Sequence, residues 1–120
     1  MGIDMYIFAA HSKKELESDT YWANADLNTS DSWTTIGEKF YARKFWGLHE
    51  HVVATCFNHD YECGEYVQIT RENLEEMITY AAHHPNYFDN FDSVAQLCEL
   101  LYHWDELEEA GLHLYYECDW

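Results

Sequence analysis

The stretch that most constrains the fold is Cys63–His84, CGEYVQITRENLEEMITYAAHH. Gly64 can take a backbone conformation that other residues resist. Tyr66, Val67 and Ile69 have the β-branched and aromatic character of a strand. Thr70 then suits a helix N-cap, because its hydroxyl accepts from a free amide of the first turn. Glu72, Glu75 and Glu76 lie near that positive helix end. Leu74, Met77, Ile78 and Ala81 follow at i, i+3, i+4, i+7 and make one apolar face. Pro85 stops the helix by disfavouring helical geometry in the residue before it. A helix with one apolar stripe must bury it against another layer, which the rest of the chain has to supply.

The chain has 120 residues, which fits a single domain over 1–120. Hydrophobic residues make up 48% and aromatic residues 18%, enough for a packed core despite a net charge of −17. The charge is unevenly placed. Residues 1–59 carry eight acids and five bases, a net −3, whereas residues 60–120 carry fifteen acids and one base, Arg71, a net −14. Binding to nucleic-acid phosphates or to anionic membranes is opposed by that charge. A basic protein surface would be drawn to it. The alternative reading is acidity that serves only solubility or salt tolerance.

The cysteines are Cys56, Cys63, Cys98 and Cys118. The N-terminus shows no basic region followed by an apolar run, so reduced thiols in a cytoplasmic protein are the expectation. No stretch approaches the ~20 apolar residues of a membrane helix. Met-Gly begins the chain, but Tyr6 stands where a myristoylation motif wants Ser or Thr.

Along the chain, Gly2–Ala10 reads as a strand whose two faces are both apolar or aromatic, hence covered on both sides. His11–Thr20 is polar and is expected to be a loop or hairpin arm. Tyr21–Ser32 is rich in turn formers and is expected to be an irregular excursion pinned by Tyr21, Trp22 and Trp33, which makes these aromatics candidate contact residues. Thr35 and Glu38 fit a capping box, which predicts a helix to about Phe57, with Ile36, Phe40, Tyr41, Leu48, Val52 and Cys56 on one side and a weak point at Gly47. Asn58–Glu62 and Pro85–Asp92 read as loops, the second holding Tyr87, Phe88 and Phe91. Ser93–Ala110 predicts a long helix capped by Asp92 and closed by Gly111. Asp105, Glu106, Glu108 and Glu109 then fall at its C-terminal end, where the dipole disfavours them. Leu112–Trp120 reads as a last strand. The expected architecture is α+β, a small sheet of N-terminal, central and C-terminal strands packed against about three helices.

Chemistry-bearing motifs are sparse. His49 and Cys56, or Cys56, His59 and Cys63, could approach one another, but no pair has zinc-ligand spacing. No Gly-x-Ser-x-Gly elbow and no phosphate loop is present. Cys63 stands in a turn among acidic residues, the opposite of what an activated thiolate needs. The residues therefore point to no cofactor, no metal and no catalytic group. A small metal- or ligand-binding enzyme built around His49 is the alternative. The leading expectation is an interaction surface. Glu75, Glu76, Asp105, Glu106, Glu108 and Glu109 would imitate the charge track of a nucleic acid, with Tyr21, Trp22 and Trp33 as anchors. Whether the chain forms a homodimer is left open.

Met1-Gly2-Ile3-Asp4-Met5-Tyr6, Tyr41-Ala42-Arg43-Lys44 with Leu48-His49, and Cys63-Gly64-Glu65-Tyr66 with the helix to Glu76 occur together in this order. They resemble the MGLDMY start, the YWRK…IH segment and the GEY-strand and LEE-helix of a family of small bacteriophage and prophage proteins. The closing strand ending in Trp120 also fits. Ala42 stands where that family has tryptophan, and Tyr21–Trp33 departs from its pattern. The resemblance carries over no catalytic residue. It implies a small accessory protein in a bacterial cytoplasm, and by analogy with small acidic phage proteins an anti-CRISPR or anti-restriction inhibitor. Its partner would be a basic, nucleic-acid-binding host complex.

Overall fold

A computed structural model describes residues 2–27, 33–84 and 92–120. The expected loop with Tyr87, Phe88 and Phe91 lies outside the described residues, as do residues 28–32 of the Tyr21–Ser32 excursion. In chain order the elements are β1 (Asp4–Ala10), α1 (Lys13–Leu16), α2 (Asp19–Leu27), β2 (Gly37–Arg43), α3 (Trp46–Thr55), β3 (Val67–Gln68), α4 (Arg71–His83), α5 (Ser93–Tyr102), α6 (Trp104–Glu109) and β4 (His113–Asp119). The fold is α+β, as the sequence predicts, with more helices than expected.

The four strands form one antiparallel sheet in the order β2-β1-β4-β3. Alternation along β1 sends Ile3, Met5, Ile7 and Ala9 into the main core, all fully buried. There they meet Phe40 and Ala42 of β2, Leu114, Tyr116 and Cys118 of β4, and Leu48, Val52, Leu74, Met77, Leu97 and Leu100 from α3, α4 and α5. Phe8 and Ala10 face the other way, into a smaller cluster with Leu16, Tyr21 and Tyr115. Both faces of β1 are thus covered at its Ala10 end.

The anchor stretch forms as its residues require. Gly64 turns with φ +84°, Thr70 caps α4, and Leu74, Met77 and Ala81 are buried. The reciprocal cap partner is Asn73: the Asn73 amide donates to Thr70 Oγ1 at 3.1 Å, and the Thr70 amide donates to Asn73 Oδ1 at 2.9 Å. Only Val67 and Gln68 pair as a strand, though the Ile69 amide continues the pattern by donating to the Leu114 carbonyl at 2.9 Å.

Three expectations are corrected. Thr35–Phe57 is not one helix. Phe40 and Ala42 are buried while Tyr41 and Arg43 turn away, a period of two that makes β2 a strand. Lys44, with φ +59°, turns the chain before α3 begins. Lys39 is the extra residue of a bulge, since Ile7 faces Phe40 and Phe8 faces Glu38. Gly47 sits in the first turn of α3 because a Cβ there would meet the Tyr80 hydroxyl at 2.5 Å. Second, two helices, Lys13–Leu16 and Asp19–Leu27, form where a loop or hairpin arm and the start of the excursion were expected. Ser12 caps α1 and Tyr21 anchors α2 in the smaller core. Third, the long C-terminal helix breaks at His103 into α5 and α6, which places Asp105 and Glu106 in a first turn, where the dipole favours them.

The end of α6 follows the sequence. Gly111 takes φ +76° and its amide donates to the Glu108 carbonyl at 2.9 Å, while the Leu112 amide donates to the Leu107 carbonyl at 2.9 Å. This is a Schellman cap. Gly111→Ala should cost about 1 kcal/mol from the left-handed backbone alone, measurable as a lower urea midpoint with an unchanged slope.

The outer edge of β2 is covered by a side chain. The Gln96 amide of α5 accepts from the Tyr41 amide at 3.0 Å and donates to the Tyr41 carbonyl at 3.0 Å. It imitates a neighbouring strand and blocks edge-to-edge pairing at that residue.

Candidate binding surface

α4 follows β3 by a turn and lies against α3 and α5, which leaves Glu72, Glu75 and Glu76 on its outer side. The break at His103 swings α6 so that its acids approach the start of α4. Arg71 joins the two helices, with its guanidinium 3.9 Å from Glu75 Oε1 and 3.7 Å from Asp105 Oδ1. Both pairs are exposed, so each contributes a few tenths of a kcal/mol (about 0.2–1). Their consequence is electrostatic: the one base of residues 60–120 is held among acids. Glu76 lies 3.2 Å from His51 Nε2 of α3, and Glu106 lies 3.3 Å from His103 Nδ1. Glu108 and Glu109 are exposed at the other end of α6. The six predicted carboxylates therefore lie on two adjoining helices.

The predicted aromatic anchors fare differently. Tyr21 is 2% exposed, and its hydroxyl donates to the Ala9 carbonyl at 2.8 Å. It is a core residue with almost no exposed surface, because α2 forms over residues 21–27 of the expected irregular segment. Trp22 is half-buried, edge-on to Phe8 at 5.1 Å, and its indole N–H donates to the Leu16 carbonyl at 2.9 Å. Trp33 is half-buried and stacks on His103 at 4.7 Å, with Lys39 Nζ 5.7 Å from its ring centre. It adjoins the start of α6, whereas Tyr21 and Trp22 belong to the opposite face of the sheet.

His49, the candidate of the enzyme reading, is 7% exposed on α3. Its Nδ1 lies 2.7 Å from the Tyr116 hydroxyl and 3.5 Å from Cys118 Sγ. Trp46, Tyr61, Tyr116 and Trp120 surround the ring. Burial lowers the imidazole pKa and pushes the Cys118 thiol up to about 11. A neutral imidazole beside a protonated thiol is the reverse of an activated Cys–His pair. Cys63 is exposed at its turn, where the Trp120 amide donates to Sγ at 3.5 Å, and all four cysteines are free. Among the described residues, no three of His, Cys, Asp and Glu converge to hold a metal ion, and no helix is long and apolar enough to cross a membrane.

A cavity of about 400 Å³ lies where Thr70 and Arg71 meet Trp104, Leu107, Leu112 and His113. Glu72 and Glu108 also stand at its wall. No family model, curated protein or solved structure matches this chain.

Proposed function

We propose that this protein is an acidic binding protein that occupies the basic groove of a nucleic-acid-handling host complex, blocking it by bulk and by charge mimicry. The observation that carries the reading is the run of carboxylates across α4 and α6, with Arg71 enclosed by Glu75 and Asp105. Such a surface offers negative charge on a rigid helical scaffold and steers a basic partner into contact. Trp33, beside α6, supplies the aromatic area common at the centre of interfaces. A phage-encoded anti-CRISPR or anti-restriction protein in a bacterial cytoplasm is the setting this reading takes.

The test is capture from a bacterial lysate with the purified protein as bait, at low and at raised salt. The expected result is a nuclease or CRISPR complex retained at low salt and released as salt rises. Glu106→Lys combined with Glu109→Lys should reduce capture several-fold without unfolding the domain, as both side chains are exposed. Retention that is indifferent to salt and to these reversals would overturn charge mimicry.

A further inference from the structure

The two edges of the sheet differ. At the β2 edge the Gln96 side chain takes both main-chain groups of Tyr41. The other edge is β3, two residues long. The Ile69 amide donates to the Leu114 carbonyl, so alternation turns the main-chain groups of Val67 toward β4 and those of Gln68 outward. Gln68 is exposed, and among the described residues nothing pairs with its outward N–H or C=O.

The cavity of about 400 Å³ adjoins this edge, since Gln68 lines it. Its apolar walls, Ile69, Leu107, Leu112 and Leu114, are buried residues of the main core, which puts the cavity on the core side of the sheet. Trp104 adds a half-buried ring. The exposed Glu72 and Glu108 side chains stand at the wall, and neither forms an ion pair among the described residues. Arg71, also at the wall, is taken up by Glu75 at 3.9 Å and Asp105 at 3.7 Å.

An open strand edge beside a side-chain pocket is the arrangement that receives an extended peptide. Main-chain pairing holds the segment, and the pocket selects one of its side chains. Here apolar walls lead past two unpaired carboxylates. A long basic side chain suits them, with its methylenes along the leucines and its charge at the acids. Arginine suits them better than lysine, because a guanidinium stacks on an indole and forks to a carboxylate. We propose that the β3 edge at Gln68 and the adjoining cavity dock an extended, arginine-bearing segment of another protein. Side chains alternate along a strand, so the arginine that enters the core-side cavity is next to the residue that pairs with Gln68. A second copy of this chain is a poor occupant, since each carries a net charge of −17. The inference rests on the basic-partner reading above, and it places one contact of that partner at the strand edge rather than on the outer sides of α4 and α6.

The test uses amide NMR on the full chain at physiological salt, titrated with four blocked peptides. The first is Val-Thr-Arg-Thr-Val. In the second citrulline replaces arginine, which keeps shape and loses charge, and in the third glutamate replaces it. The fourth keeps arginine but is N-methylated at both threonines, which removes the amides that would pair with Gln68. The first peptide should shift the Gln68 amide and the Trp104 indole N–H, and should bind at least five-fold tighter than each of the others. Glu72→Gln and Glu108→Gln, both at exposed side chains, should each weaken it. Shifts confined to Glu75, Glu76, Asp105 and Glu106 would overturn the edge site and leave the basic-partner reading standing. Equal binding of the arginine and citrulline peptides, tighter binding of the glutamate peptide, indifference to N-methylation, or no shift at Gln68 would also overturn the site. The lysate capture decides the broader reading separately.

Discussion

Replacing Tyr116 by alanine is expected to lower the unfolding free energy by about 3–5 kcal/mol, the usual cost of emptying an aromatic site in a core. Tyr116 is fully buried on β4 and touches Phe57, Tyr61 and His49 rings at 5.5–6.0 Å. The cavity would open where α3 meets the sheet, and a domain of this size has little more stability than that to lose. Urea unfolding measures it.

Tyr116→Phe separates packing from polar pairing. It keeps the ring and removes the hydroxyl 2.7 Å from His49 Nδ1. The expected cost is about 1–3 kcal/mol, because a buried imidazole nitrogen loses its best partner and retains only the Cys118 sulfur at 3.5 Å. A cost near zero would mean that the hydroxyl does not hold His49, and the view of this cluster as a structural pin between α3 and β4 would fail. On that view His49→Ala also destabilises, and any binding defect in the variant should track its unfolded fraction.

What was legible in the sequence was local. The α4 stripe and its Thr70 cap are written in a 3.6-residue period and one hydroxyl. Gly111 marks its helix end because the left-handed turn there suits glycine. β2 was obscured because Thr35 and Glu38 imitate a capping box, although Phe40 and Ala42 carry the competing period of two. No glycine or proline announces the break at His103, so Asp105 and Glu106 looked misplaced on a longer helix. The acidic residues of α4 and α6 were legible as a class, but their approach through Arg71 depends on that break. The grouping of Tyr6 with Tyr41 and Glu117 was hidden altogether, since it arises only through the pairing of β1 with β2 and β4. His49 shows the same limit: the sequence allows it to approach Cys56, and the fold buries it against Tyr116 and Cys118 instead.

Strand pairing also sets the last expected result, which is that Glu117→Gln stabilises the protein at pH 8 and leaves it unchanged near pH 4. In the fold, burial and then Asp119 raise this carboxyl from the ordinary 4.5 to about 7. The unfolded chain releases the proton first, so between these values the folded state holds more protons. Stability then falls as pH rises through the window and is flat above it. The full shift corresponds to about 3 kcal/mol, and partial exposure reduces this to about 1–2 kcal/mol. Glutamine keeps the shape without the charge, so it recovers that amount only where the glutamate is ionised. Asp119→Asn should recover the smaller share that Asp119 causes. His49 acts at the other side: burial lowers its pKa, so the unfolded chain binds its proton more readily and stability falls as pH drops below about 6.5. Between about 4.5 and 6.5 the two slopes oppose one another, so urea midpoints should change little there and fall as pH rises beyond it. Glu117→Gln should lift the alkaline side alone; an equal lift at pH 4 would show that glutamine packs better, and that the carboxylate is not strained by its surroundings.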